Sequence, residues 1–213
     1  MSTRAAVVAA CRRLAAAGLV PGTAGNLSQR DDEHVWITAS GAAFDAITEA
    51  QVVKVDLQGR LVEGAFAPTS EIALHLGVYA AHGSGAVVHT HAPAATAVAC
   101  VHDELPVVHY ALLALGGAVP VAPYATFGTQ ELADGVVAVL AGRGGALMAQ
   151  HGAVTHAATL DKAVELMEVL EWACDVYGRA VAQGTPRVLT QAEQDAVVEA
   201  ALSRGYGTPE EPS

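Results

Sequence analysis

The chain has 213 residues, 52% of them hydrophobic and only 5% aromatic, with a formal net charge of −11. That length and apolar content suit one domain, residues 1–213, with a substantial core, and argue against a disordered chain. The acidic balance, with no basic cluster larger than Arg12-Arg13, argues against nucleic acid or an anionic membrane surface as a partner.

Along the chain, "MSTRAAVVAACRRLAAAG" reads as an amphipathic helix over residues 3–17 that ends at Gly18, with no convincing cleavage site for a leader. "GLVPGTAGNLSQR" reads as a glycine-rich loop with small hydroxyl and amide side chains, and "HVWIT" as a strand. "ASGAAFDAIT" reads as a turn and a short helical piece, then "VVKVDLQGRLVEG" as two strands around a turn. "PTSEIALHLGVYAAH" has a proline and hydroxyls followed by apolar residues at helical spacing, so a helix should begin near Thr69 or Ser70. "AVVH" is a buried strand, and "PAATAVACV" a helix begun by Pro93. "AVPVAPYATFGTQELADGVVAVLAG" supplies a short strand, a loop and a helix entered at Thr129. "GALMAQHGAVTHAATL" is a strand pair broken by glycine, followed by helices over 160–182 and 191–203 and the tail "RGYGTPEEPS".

The three cysteines, Cys11, Cys100 and Cys174, are distant and odd in number, so they read as small buried residues of a reducing compartment rather than a disulfide framework. No segment approaches the roughly 20 apolar residues needed to span a bilayer. A soluble cytoplasmic protein is the expectation.

His89 and His91 stand at alternate positions where a hydrophobic strand ends. Side chains at i and i+2 of a strand point to one face, so both rings could reach one ion at about 2 Å. The spacing by itself also fits satisfied core histidines. His151 adds weight, because it too follows an apolar strand and precedes a glycine. If the two strands are neighbours, three imidazoles can surround one cation and leave positions open, as a catalytic zinc site requires. The other six histidines read as surface, helix or loop residues. Glu71, in "APTSEIALH", is a candidate partner base for such a metal, although an acid in the first turn of a helix also favours the helix dipole.

"GTAGNLS", "TASGAAF" and "PTSE" offer backbone N–H groups and hydroxyls that together could bind a dianion without a lysine. The chain has only two lysines, Lys54, in a strand, and Lys162, on a helix beside Asp161.

"GTAGNLS", "ITASG", "PTSE", "VVHTHA", "HYALLALGG", "APYATFGTQEL" and "QHG" occur in the order and spacing of the class II aldolase and sugar-phosphate epimerase family, which the chain resembles over nearly its whole length. The resemblance implies a three-layer αβα fold of the α/β class, with a central, mostly antiparallel sheet flanked by helices. It implies Zn2+, with Mn2+ or Co2+ as alternatives, held by His89, His91, His151 and Glu71. Substrate phosphate is implied against Thr23, Gly25, Asn26, Ser40, Gly41, Thr69 and Ser70. Ala39 and Ser40 stand where the family often has proline or threonine, and Thr69 where serine is commoner, which keeps the hydroxyls in place. Tyr110 matches a catalytic tyrosine that reaches a neighbouring subunit's site, which implies a homotetramer, and Phe127 and Tyr206 match residues at the aldehyde end.

The implied reaction is reversible cleavage of a ketose 1-phosphate, such as L-fuculose 1-phosphate, to dihydroxyacetone phosphate and a small aldehyde such as L-lactaldehyde. Glu71 is expected to shuttle the proton, with its pKa raised once it has left the metal for an apolar pocket. Two rivals are a pentulose-5-phosphate 4-epimerase, in which aspartate commonly replaces the glutamate of "PTSE", and a metal-free scaffold that kept the fold.

Overall fold

The structure, a computed structural model, describes residues 2–204. Among them, nine strands form one sheet: β1 (Gly25–Asp31), β2 (His34–Thr38), β3 (Val52–Asp56), β4 (Leu61–Glu63), β5 (Ala86–Thr90), β6 (Glu104–Leu105), β7 (Val119–Ala122), β8 (Gly145–Met148) and β9 (Gly152–Ala157). Their order is β4-β3-β2-β1-β5-β9-β8-β7-β6. Every neighbouring pair is antiparallel except β7 and β8.

Strand alternation divides the core between the two faces of this sheet. Leu27, Val88 and Leu147 pack with Val7, Leu14, Val98, Met167 and Leu170 from α1 (Thr3–Ala16), α3 (Pro93–Ala99) and α5 (Leu160–Gln183). Val35, Ile37, Val87 and Met148 pack on the other face with Leu74, Val78, Leu132 and Val136 from α2 (Ile72–His82) and α4 (Gln130–Val139). This is the expected helix–sheet–helix sandwich. The terminal α6 (Gln191–Ser203) buries none of its residues and starts with a capping box between Thr190 and Glu193.

Three local expectations change. The stretch taken as a loop through "GTAGNLSQR" is strand β1 from Gly25 onward, paired with β2 and β5. Its small polar residues have weak strand propensity, and pairing on both sides overrides it. The helix expected from Thr69 or Ser70 begins at Ile72, with Glu71 at its N-cap. Of the cysteines, Cys11 and Cys174 are buried, but Cys100 is exposed just past the end of α3.

The register has a direct consequence for the histidines. Across β1 and β5, Asn26 stands opposite His89 and Ser28 opposite Val87; across β5 and β9, Thr90 stands opposite Ala153. Asn26, Ser28 and His89 therefore share the face covered by α2, while Thr90 turns to the other side, where its hydroxyl meets Met167 Sδ at 3.2 Å.

Candidate metal centre and active site

His89 is the fourth residue of β5, and His91 follows the strand's end, on the same side. His151 lies in the three-residue connection from β8 to β9, where Gln150 adopts a left-handed φ of 52°. Such a φ is uncommon outside glycine and is held here by a tight hairpin. The His151 amide donates to Met148 O at 3.0 Å, and the Ala149 amide to Ala122 O at 3.0 Å. Glu71 enters from above, at the start of α2.

Gly152 sets how closely this hairpin approaches β5. A Cβ at that position would overlap the carbonyl oxygen of Thr90 and stand 3.2 Å from His91 Cδ2. Gly152→Ala should therefore destabilise the protein by about 1–3 kcal/mol through overpacking. Denaturant unfolding measures this, and a midpoint equal to the parent's would contradict the close approach.

One donor atom from each of Glu71, His89, His91 and His151 lies within 4.8 Å of all the others. His89 Nε2 is 3.1 Å from His91 Nε2 and 3.2 Å from Glu71 Oε2, and His151 Nε2 is 3.4 Å from Glu71 Oε1. Tetrahedral donors about 2.0–2.1 Å from a zinc ion would stand about 3.3 Å apart, so these separations fit such an ion. His89 Nδ1 donates to Ala153 O at 2.9 Å, which leaves Nε2 to face the cluster, as outer-shell partners of ligating histidines do.

The charges agree with that geometry. Burial, reinforced by the neighbouring His89 ring, lowers both His91 and His151 to about 4 against the pull of Glu71; His151 also acts on His91. Both rings are then neutral near pH 7, with lone pairs available. Burial tends to raise the Glu71 carboxyl, but attraction to and a hydrogen bond from the His89 ring, a hydrogen bond from Asn26 and the nearby His151 ring outweigh it. Glu71 stays well below the usual carboxylate range. Its Oε1 is buried and has no hydrogen-bond partner among the described residues. An ionised, half-satisfied carboxylate among imidazoles calls for positive charge at the centre, either as a proton or as a cation. The donor set, three imidazoles and a carboxylate, is that of a divalent metal of the zinc type.

Glu71, His91 and His151 line a cleft of about 340 Å³, and so do all seven residues expected to hold phosphate: Thr23, Gly25, Asn26, Ser40, Gly41, Thr69 and Ser70. Thr69 is 5% exposed and its hydroxyl accepts from the Glu71 amide at 3.3 Å, whereas Ser40 and Ser70 are open to solvent. The Asn26 side chain is partly committed. Its Nδ2 donates one proton to Glu71 Oε2 at 2.8 Å, which leaves the second amide proton for an incoming anion.

Phe127, 67% exposed, stands at the rim. Its neighbour Gly128, at φ 74°, lies against Ser70 O, which ties the "TFGT" loop to the cradle. Tyr124, Ala125 and Gln150 also line the cleft. Sequence reasoning passed over them, although Tyr124 and Ala125 stand in the quoted "APYATFGT". Tyr110 is 58% exposed on a 3-10 segment (Tyr110–Leu115) and does not line the cleft of its own chain. Tyr206 lies outside the described residues. A larger groove, about 780 Å³ between α3 and α5, contains none of the cluster.

Behind Glu71 lies a polar seam that sequence reasoning missed. His75 and Tyr79 follow Glu71 at steps of four on α2 and meet Asn26 and Ser28 on β1. His75 is fully buried, and burial with the nearby His89 ring lowers its pKa to about 3.

Comparison with known proteins shows the family to which the chain belongs. The profile of the class II aldolase and adducin N-terminal domain matches residues 5–178. An L-fuculose phosphate aldolase of Escherichia coli is 36% identical over 194 residues, covering 90% of each chain. A 5-deoxy-D-ribulose 1-phosphate aldolase of Bacillus thuringiensis is 34% identical over 207 residues, covering 96% of each. A solved L-fuculose 1-phosphate aldolase superposes with a TM-score of 0.89 at 35% identity, over 93% of this chain and 95% of that one.

Proposed function

The chain belongs to the class II aldolase and adducin N-terminal domain family, and from that membership we propose that it reversibly cleaves a ketose 1-phosphate to dihydroxyacetone phosphate and a small aldehyde. It is a lyase of the class II aldolase type. The observation that carries the specific reading is the convergence of three imidazole Nε2 atoms and one carboxylate beneath a cleft walled with hydroxyls.

His89, His91, His151 and Glu71 hold a divalent cation, zinc in this reading. When bound, that cation supplies a Lewis acid for the ketone oxygen and hence the electron sink. Thr23, Ser40, Thr69 and Ser70 bind the phosphate with their hydroxyls, helped by Gly25, Asn26 and Gly41 and by the N-terminus of α2. With a chain charge of −11, that attraction has to be local. In the condensation direction, Glu71 removes a proton from the hydroxymethyl carbon of dihydroxyacetone phosphate, and in cleavage it returns one. Tyr110 moves a proton at the aldehyde oxygen of a neighbouring subunit's site, in a homotetramer. Its exposure and its absence from the lining of its own cleft support that assignment. Phe127, with Tyr206 from the tail, shapes the aldehyde end.

The reading has the whole chain working as one domain, in the cytoplasm. Among the described residues, no helix is long and apolar enough to cross a membrane. Glu71 favours cleavage over 4-epimerisation, since an aspartate is the commoner residue there in the epimerases.

Two substrates are favoured. Relatives named for L-fuculose phosphate and for 5-deoxyribulose 1-phosphate match the chain at 36% and 34% identity. They differ in the aldehyde released, so metal-loaded enzyme should be offered dihydroxyacetone phosphate with a panel of aldehydes. Condensation should favour L-lactaldehyde or acetaldehyde over bulky aldehydes by about 10-fold or more. No product from any aldehyde would end the lyase reading for this chain.

A further inference from the structure

The seam behind Glu71 has its hydrogen-bond directions fixed by chemistry. An ionised carboxylate only accepts, so Asn26 must present its amide nitrogen to Glu71 Oε2, at 2.8 Å. Asn26 Oδ1 then faces His75 Nε2 at 2.5 Å and needs a donor, so the proton of His75 sits on Nε2. His75 Nδ1, left bare, accepts from Ser28 Oγ at 2.6 Å. Ser28 has spent its proton, so Tyr79 OH donates to Ser28 Oγ at 2.7 Å. Four bonds run in one sense, from Tyr79 through Ser28, His75 and Asn26 to the carboxylate. All five residues are at most 6% exposed.

The arrangement comes from two periodicities meeting. Residues at i, i+4 and i+8 of the helix face residues at i and i+2 of the strand. Three positions in a packed helix–sheet interface would ordinarily be aliphatic, and burying polar groups there is tolerable only because each is paired.

We propose that His75 is a positioning residue: held as the Nε2–H tautomer by Ser28 and Tyr79, it locks Asn26, which in turn holds Glu71 Oε2 at the cluster. The proposal rests on the reading of Glu71 as the group that moves the substrate proton. Asn26 is the link of the device, because it lines the cleft while its amide serves the acid. The chain fixes one carboxylate oxygen and leaves the other, Oε1, facing His151.

Zinc-loaded His75→Leu should exchange the hydroxymethyl proton of dihydroxyacetone phosphate about 10- to 100-fold more slowly than the parent, the range for a lost outer-shell partner. The fall should be in kcat rather than KM, with zinc still bound one per chain. His75→Gln, which keeps one donor and one acceptor, should recover most of the loss. In the zinc-loaded parent, imidazole nitrogen NMR should show His75 with a protonated Nε2 and a bare Nδ1.

Undiminished exchange in His75→Leu would overturn the proposal, as would the Nδ1–H tautomer. So would a rate that falls only in proportion to lost zinc, which assigns His75 to the fold alone. If the parent itself exchanges no proton, the role of Glu71 fails instead, and the NMR measurement still decides whether His75 orients Asn26.

Discussion

Replacing His151 with alanine is expected to lower zinc affinity by more than about 100-fold, beyond the usual loss for an outer-shell partner. Aldol cleavage should fall by about 10³-fold or more, since a Lewis acid is worth several kcal/mol in the transition state. His89 and His91 come from one strand end and are only two residues apart, so by themselves they cover one side of an ion. His151 closes the other side from a different hairpin, with Nε2 3.4 Å from Glu71 Oε1. The substitution should be structurally mild: the ring lines the cleft, and the turn is held by backbone bonds from Ala149 and His151. Metal analysis after dialysis, paired with a cleavage assay, measures both effects. A variant that keeps one zinc per chain and the parent's rate would remove His151 from the site.

Replacing Glu71 with glutamine should separate metal binding from proton transfer. Three imidazoles remain, so zinc should stay bound, and the amide oxygen of glutamine can still accept from Asn26. Exchange of the hydroxymethyl proton of dihydroxyacetone phosphate should nevertheless fall by about 10²- to 10⁴-fold, the usual worth of a general base. Among the imidazoles, Glu71 is held well below the usual carboxylate range, which makes it a good ligand and a poor acid. To return a proton it has to leave that positive surrounding. Burial then remains as the main influence, and burial raises a carboxyl pKa. The expectation of a raised value therefore belongs to the displaced carboxylate, and the depressed one to the carboxylate facing the histidines. Undiminished exchange in Glu71→Gln would assign the base to another group.

The four residues of the His/Glu cluster could be picked out from sequence because their signals are local. His89 and His91 obey strand parity, His151 repeats the pattern of strand, imidazole and glycine, and Glu71 sits at a recognisable helix start. What escaped depends on pairing between distant segments. Gly25–Asp31 carries glycine, asparagine, serine and glutamine, which locally favour a turn, and it becomes a strand because β2 and β5 flank it. The register that sets Asn26 opposite His89 follows from that pairing, and no local pattern encodes it. His75 read as an ordinary helical histidine for the same reason: its partners Asn26 and Ser28 lie more than 40 residues away along the chain. The spacing of Glu71, His75 and Tyr79 at steps of four was the available clue, and it gains meaning only once the opposite strand is known to be polar at alternate positions. Tyr110 differs again, since its proposed role needs a second copy of the chain.

The most direct test of the account is anomalous diffraction from crystals of the zinc-loaded protein, collected on either side of the zinc edge. We expect one peak per chain, about 2.0–2.2 Å from the Nε2 atoms of His89, His91 and His151, with the Glu71 carboxylate beside it. A peak elsewhere, or none at the cluster in protein shown to hold zinc, would contradict the central claim that these four side chains form the metal centre.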